Sequence, residues 1–131
     1  MKDVARTILV AGLLAAVGPM EAFAGPLDYA FEPVKAEVRN GPGSEIAVKL
    51  IHKPSGKLVE GAIVFRTRLD MSPENMEAMT TEVAAVSSTE PGVYKFRGDL
   101  TMGGNWALKL QSKVQGEPET VQGTVVFTTK K

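Results

Sequence analysis

Gly61-Ala62-Ile63-Val64-Phe65-Arg66-Thr67-Arg68-Leu69-Asp70-Met71 is the stretch that decides the fold. Ile63, Phe65, Thr67, Leu69 and Met71 fall on one side of a period-two pattern, and Val64, Arg66, Arg68 and Asp70 on the other. Successive side chains of a strand point to opposite faces, so a half-buried strand reads this way. Weaker copies of the pattern lie on both sides, at residues 34–38, 45–52, 82–88, 93–100, 105–114 and 121–128. In 45–52, Ile46, Val48 and Leu50 share a face with His52; in 105–114, Trp106, Leu108 and Leu110 alternate with Ala107, Lys109 and Gln111. Turn residues separate the runs: Asn40-Gly41-Pro42-Gly43, Pro54-Ser55-Gly56, Glu90-Pro91-Gly92 and Gly116-Glu117-Pro118. About seven strands at this even spacing predict an all-β, immunoglobulin-like antiparallel β-sandwich with Trp106 at its centre. Residues 72–81 are open between two readings, a helical turn started by Ser72-Pro73-Glu74 or an extended loop.

The N-terminus carries a different signal. Lys2 and Arg6 precede an apolar run from Ile8 to Val17. Gly18-Pro19 then breaks any helix, and Ala22-Phe23-Ala24 supplies a small-x-small cleavage site. Residues 1–24 therefore read as a signal-peptide helix, cleaved before Gly25, which sends the chain to the periplasm or another extracytoplasmic space. Its apolar run is shorter than the roughly 20 residues that span a bilayer, so no membrane span is expected after cleavage. Residues 25–31 read as a short tether and 32–131 as the sandwich domain.

Composition narrows the function. The 131 residues include 15 basic and 15 acidic side chains, one histidine and no cysteine. A net charge of zero gives no long-range attraction to nucleic acid, so no nucleic-acid partner is expected. Without cysteine there are no disulfides, thiolate metal sites or thiol nucleophiles. His52 is the only histidine, which leaves a catalytic triad without a spare base and a zinc site without enough ligands. Asp70 and Glu74 are read as solvated carboxylates rather than an acid–base pair. The expectation is a protein that is not an enzyme.

The methionines remain. Met71, Met76 and Met79 lie close together in sequence, and Met102 precedes the corner Gly103-Gly104. Thioether sulfur is soft and needs no deprotonation, so it suits Cu(I) or Ag(I) and binds zinc or magnesium poorly. Methionine also fills irregular gaps in a core, and that reading stays open beside the first.

These residues also resemble a known family. Gly61-Ala62-Ile63-Val64, a methionine-bearing segment, Gly92-Val93-Tyr94 and Leu100-Thr101-Met102-Gly103-Gly104-Asn105-Trp106 are similar to the YtkA-like domain, which overlaps FixH-like proteins. The likeness runs from about Val34 to Thr128. It implies an immunoglobulin-like domain outside the cytoplasmic membrane, found with metal efflux or copper-handling systems or with oxidase assembly. Met71, Met76 and Met79 match the family's methionine loop, and Met102 and Trp106 its corner. Here Ser72-Pro73-Glu74-Asn75 interrupts a loop that is denser elsewhere. Two functions follow as expectations: an accessory domain that binds or passes Cu(I) or Ag(I) through Met71, Met76, Met79 and Met102, or a ligand-free module that docks an efflux or assembly partner.

Overall fold

The computed structural model describes residues 26–130. The expected signal peptide, residues 1–24, and its cleavage site at Gly25 lie outside them. Ten strands follow a 3-10 turn at Pro26–Asp28: β1 (Tyr29–Pro33), β2 (Glu37–Arg39), β3 (Gly41–His52), β4 (Lys57–Leu58), β5 (Ile63–Met71), β6 (Met76–Thr81), β7 (Val83–Val86), β8 (Val93–Leu100), β9 (Asn105–Lys113) and β10 (Val121–Lys130). One sheet has the order β1-β3-β8-β7, with β4 on β3; the other has the order β2-β10-β9-β5-β6. Every pairing is antiparallel except β2 with β10.

Apart from β2, β4 and the hairpin return β6, seven framework strands remain. The first, second, fifth and fourth of these make one sheet, and the third, sixth and seventh the other, which is the immunoglobulin arrangement. Among the described residues no helix is long and apolar enough to cross a membrane.

The two inner faces meet in one core. Ile46, Val48, Leu50 and Phe96 come from one sheet; Leu69, Met71, Trp106, Leu108, Leu110, Val125 and Phe127 come from the other. Trp106 is buried in this cluster, opposite Phe127 in the β9–β10 register. Phe31 packs so closely over β10 that a Cβ on Gly123 would lie 2.6 Å from its ring, so a residue with no side chain fits there. Tyr94 ties the crossing between the sheets. Its hydroxyl donates to the Val59 carbonyl at 2.7 Å and accepts from the Ala62 amide at 3.0 Å.

Three expectations change. Residues 29–31 of the expected tether belong to β1, whose partner is β3 from Val48 to His52. Residues 41–43 of the expected turn belong to β3 across an irregularity, where the Ser44 hydroxyl bonds to the Arg39 and Gly41 carbonyls. The third change is in β5. Val64 pairs with Ser112 and Arg66 with Gln111, so Phe65 is an extra residue in a bulge. One extra residue reverses which side chains face inward. Leu69 and Met71 keep their core positions, but Ile63 is 67% and Phe65 48% exposed, while Val64 packs against the core.

Candidate functional site at the methionine corner

Residues 72–81 resolve into both of the conformations left open. Ser72–Glu74 is a 3-10 turn with proline near its start, and Met76–Thr81 is extended. Asn75 joins them with φ of 60°, a left-handed conformation that asparagine tolerates better than most residues. Its amide donates to the Ser72 carbonyl at 2.9 Å. The return strand then pairs Met76 with Met71 but Thr80 with Asp70. Glu77, Ala78 and Met79 have no register partner between them, so this edge strand carries a wide bulge.

The four candidate methionines are therefore treated unequally. Met71 is fully buried in the core. Met76, its cross-strand partner, is half-buried and packs on the same cluster. Met79 and Met102 are 42% and 41% exposed. Met71 and the Met102 corner meet at Gly104, where an added Cβ would lie 3.0 Å from the Met71 methyl. Met79 lies in the unpaired part of β6, with its side chain exposed.

A polar latch holds the corner. One Glu74 carboxylate oxygen accepts the Asn105 amide at 2.8 Å and its side-chain Nδ2 at 2.9 Å. Asn105 Oδ1 accepts the Thr128 hydroxyl at 2.6 Å. The Gly104 amide donates to Thr129 Oγ1 at 2.8 Å, and the Trp106 indole donates to the Met102 carbonyl at 3.1 Å. The turn that carries Glu74 is thus bonded to the turn that carries Met102. Sequence reading missed Glu74, Thr128 and Thr129 as its fasteners; Asn105 lay within the corner motif. Hydrogen bonds to a charged acceptor contribute about 1.5–3 kcal/mol each. Glu74 is half-buried, so Glu74→Ala is expected to cost about 2 kcal/mol, read as a shift in the urea midpoint. Asn105 crosspeaks should be the first to move in an amide spectrum.

Asp70 corrects another expectation. Its carboxylate is fully buried, not solvated. Arg68 Nε lies 2.8 Å and Lys109 Nζ 3.1 Å from one oxygen, and the Ser72 amide 3.0 Å from the other. Lys109 also reaches Glu77 on the bulge at 3.3 Å. Burial alone would raise the Asp70 pKa. The bonds from Ser72, Arg68 and Lys109 outweigh it and hold the group at about 2, and the bond to Asp70 raises Lys109.

His52 stands at the far end of β3 from the Gly41–Leu100 pairing that borders the corner. Its ring lies 5.3 Å from Tyr29, and its Nδ1 is 2.8 Å from the Ser55 hydroxyl. It adds nothing to the methionine corner. Among the described residues no three histidine, aspartate or glutamate side chains gather as a hard-donor metal site. The corner carries thioether side chains, donors of the kind soft cations take, beside the Glu74 carboxylate.

The YtkA-like family model matches residues 21–111, which take in all four methionines, Asn105 and Trp106. The chain belongs to the YtkA-like family. No curated protein is similar to it at a significant level. In this YtkA-like domain the matched stretch ends inside β9, so β10, which bears Thr128 and Thr129, lies beyond it.

Proposed function

We propose that this YtkA-like domain is an extracytoplasmic accessory protein that binds or passes a soft cation, Cu(I) or Ag(I), as its cargo. The supporting observation is the register pairing of Met76 with Met71 together with the approach of Met71 to Gly104 of the Met102 turn. Met76 is half-buried and Met102 exposed, so both thioethers reach solvent; Met71 is buried beside Gly104, and Met79 is exposed farther along β6. Thioethers hold Cu(I) without releasing protons, so affinity should vary little between pH 5 and 8. The cation would be exchanged with a metal efflux or copper-handling system.

A competition titration with a Cu(I)-selective chelator tests this. Dissociation constants tighter than about 1 μM are expected, corresponding to about 8 kcal/mol. Met76→Leu and Met102→Leu should each weaken binding by about tenfold, near 1.4 kcal/mol. Met71→Leu is nearly volume-conserving and should leave affinity within about threefold, with a stability cost below about 1.5 kcal/mol. Binding weaker than micromolar, or insensitive to Met76 and Met102, would sink the reading. A second reading is favoured by the exposure of Met79 and Met102: adaptable thioether surfaces also suit protein docking. Co-purification of a partner that survives replacement of all four methionines by leucine would select it.

A further inference from the structure

Sheet edges display unpaired backbone groups, and proteins normally blunt them with charge, proline, bulges or short length. β1 ends on Pro33, and β2 is three residues with Glu37 and Arg39 at its ends. β6 carries the wide bulge and Glu77. β7 is also short, at four residues, but Val83-Ala84-Ala85-Val86 has no charge and no proline and pairs with β8 without a register break. Among the described residues no strand pairs with its outer edge.

The same flank is open in the other sheet. β6 covers only Leu69 to Met71 of β5, so among the described residues no strand pairs with the first half of β5 on that side. That half carries the exposed Ile63 and Phe65. Between it and β7 runs a groove of about 460 Å³, lined by Gly61, Val64, Ala85, Val86, Tyr94 and Phe96 among others.

Charge along this flank is ordered. Beside Ala84 in register stands Arg97, and beside Val86 stands Lys95. The start of β7 carries the opposite sign, with exposed Glu82 before Val83 and exposed Asp99 after Gly98. Asp99 accepts the Gly43 amide, and Glu90 stands 4.0 Å from Lys95. Along β7 itself, Glu82 stands at one end, and Lys95, with Glu90 4.0 Å away, stands beside the other. When two copies run antiparallel across a two-fold axis, Glu82 of each is brought toward Lys95 of the other.

We infer that β7 is a self-association edge, at which a second copy of this chain pairs its own β7 antiparallel about an axis near Ala84 and Ala85. Pairing joins the two β1-β3-β8-β7 sheets into one. Glu82 of one copy then stands about two strand spacings, near 10 Å, from the Lys95 backbone of the other, within reach of both side chains. The two β5 halves, with Ile63 and Phe65, face each other across the same axis. The inference rests on the edges and charges, not on the methionine corner, so a failed metal titration leaves it standing.

Sedimentation equilibrium of the purified chain tests it. A contact this small should give a weak dimer, with a dissociation constant of about 10–100 μM, tighter at low salt. Ala84→Lys puts two ammonium groups at the axis on an already exposed position. It should give a monomer at every concentration with an unchanged far-ultraviolet circular dichroism spectrum. Glu82→Lys and Lys95→Glu should each weaken association about fivefold, and the double exchange should restore it. A chain monomeric up to about 0.5 mM, or a dimer indifferent to Ala84→Lys, overturns the inference. So does a double exchange that fails to recover.

Discussion

Trp106→Ala is expected to destabilise the domain by about 3–5 kcal/mol, the range for removing a large aromatic side chain from a packed core. Whole domains of this size have only about 5–15 kcal/mol to lose, so the variant should sit near the edge of folding. Trp106 is 2% exposed and lies opposite Phe127 in the middle sheet pairing. Its removal leaves a cavity with walls from both sheets, and strands fixed by their ladders cannot close around it. It also leaves the Met102 carbonyl without the indole donor at 3.1 Å. Trp106→Phe separates the two losses. It keeps most of the ring volume and gives up the hydrogen bond, and should cost about 1–2 kcal/mol. Urea unfolding followed by far-ultraviolet circular dichroism measures both, since the substitutions remove the only tryptophan. An alanine cost below about 1 kcal/mol would mean that Trp106 is not the centre of the core.

That centre was legible in the sequence because period-two alternation reports burial directly. Trp106, Leu108 and Leu110 sit on the inner face as their spacing requires. The same rule fails in β5, where the pattern looked cleanest. Alternation assumes that each residue faces one partner residue. The bulge at Phe65 breaks that assumption, and Ile63-Val64-Phe65 is apolar on both faces, so nothing in the run marks the slip. Strand β1 was hidden for another reason: its five residues have no polar–apolar alternation and are recruited by the length of β3. Strand β6 was hidden because its pairing follows from the turn at Ser72–Glu74 and the left-handed Asn75, not from any periodicity of its own.

The methionine corner was half legible. Spacing in sequence grouped Met71, Met76 and Met79, but the fold regroups them by register. Met76 pairs with Met71, the Met102 turn meets Met71 at Gly104, and Met79 falls in the unpaired part of β6. Which sulfur is buried depends on phase within β5, and a bulge six residues upstream sets that phase. The latch from Glu74 to Asn105 joins residues 31 positions apart, a link no local pattern encodes.

Asp70 gives the second large effect, and its pH dependence fixes the mechanism. Asp70→Ala is expected to cost about 3 kcal/mol near pH 7, because Lys109 and Arg68 lose a buried partner and the Ser72 amide loses its acceptor. The two cations are partly exposed, which keeps the cost at the low end for a broken buried pair. Asp70→Asn keeps an oxygen for Ser72 and should cost about 2 kcal/mol through lost charge. The folded group titrates at about 2, below its ordinary value of 3.8. A depressed folded pKa means that the unfolded chain binds the proton more tightly. The stabilisation is therefore complete above about pH 5 and drains away as the pH falls toward 2. Urea midpoints of the parent and Asp70→Asn, taken at intervals from pH 7 to pH 2, measure the difference, and other carboxylates cancel between the two proteins. The gap should be widest at pH 7 and nearly closed at pH 2. A gap that stays constant across that range would show that the carboxylate's charge contributes nothing, leaving only its shape and its bond to Ser72 to hold β5 against the bulge of β6.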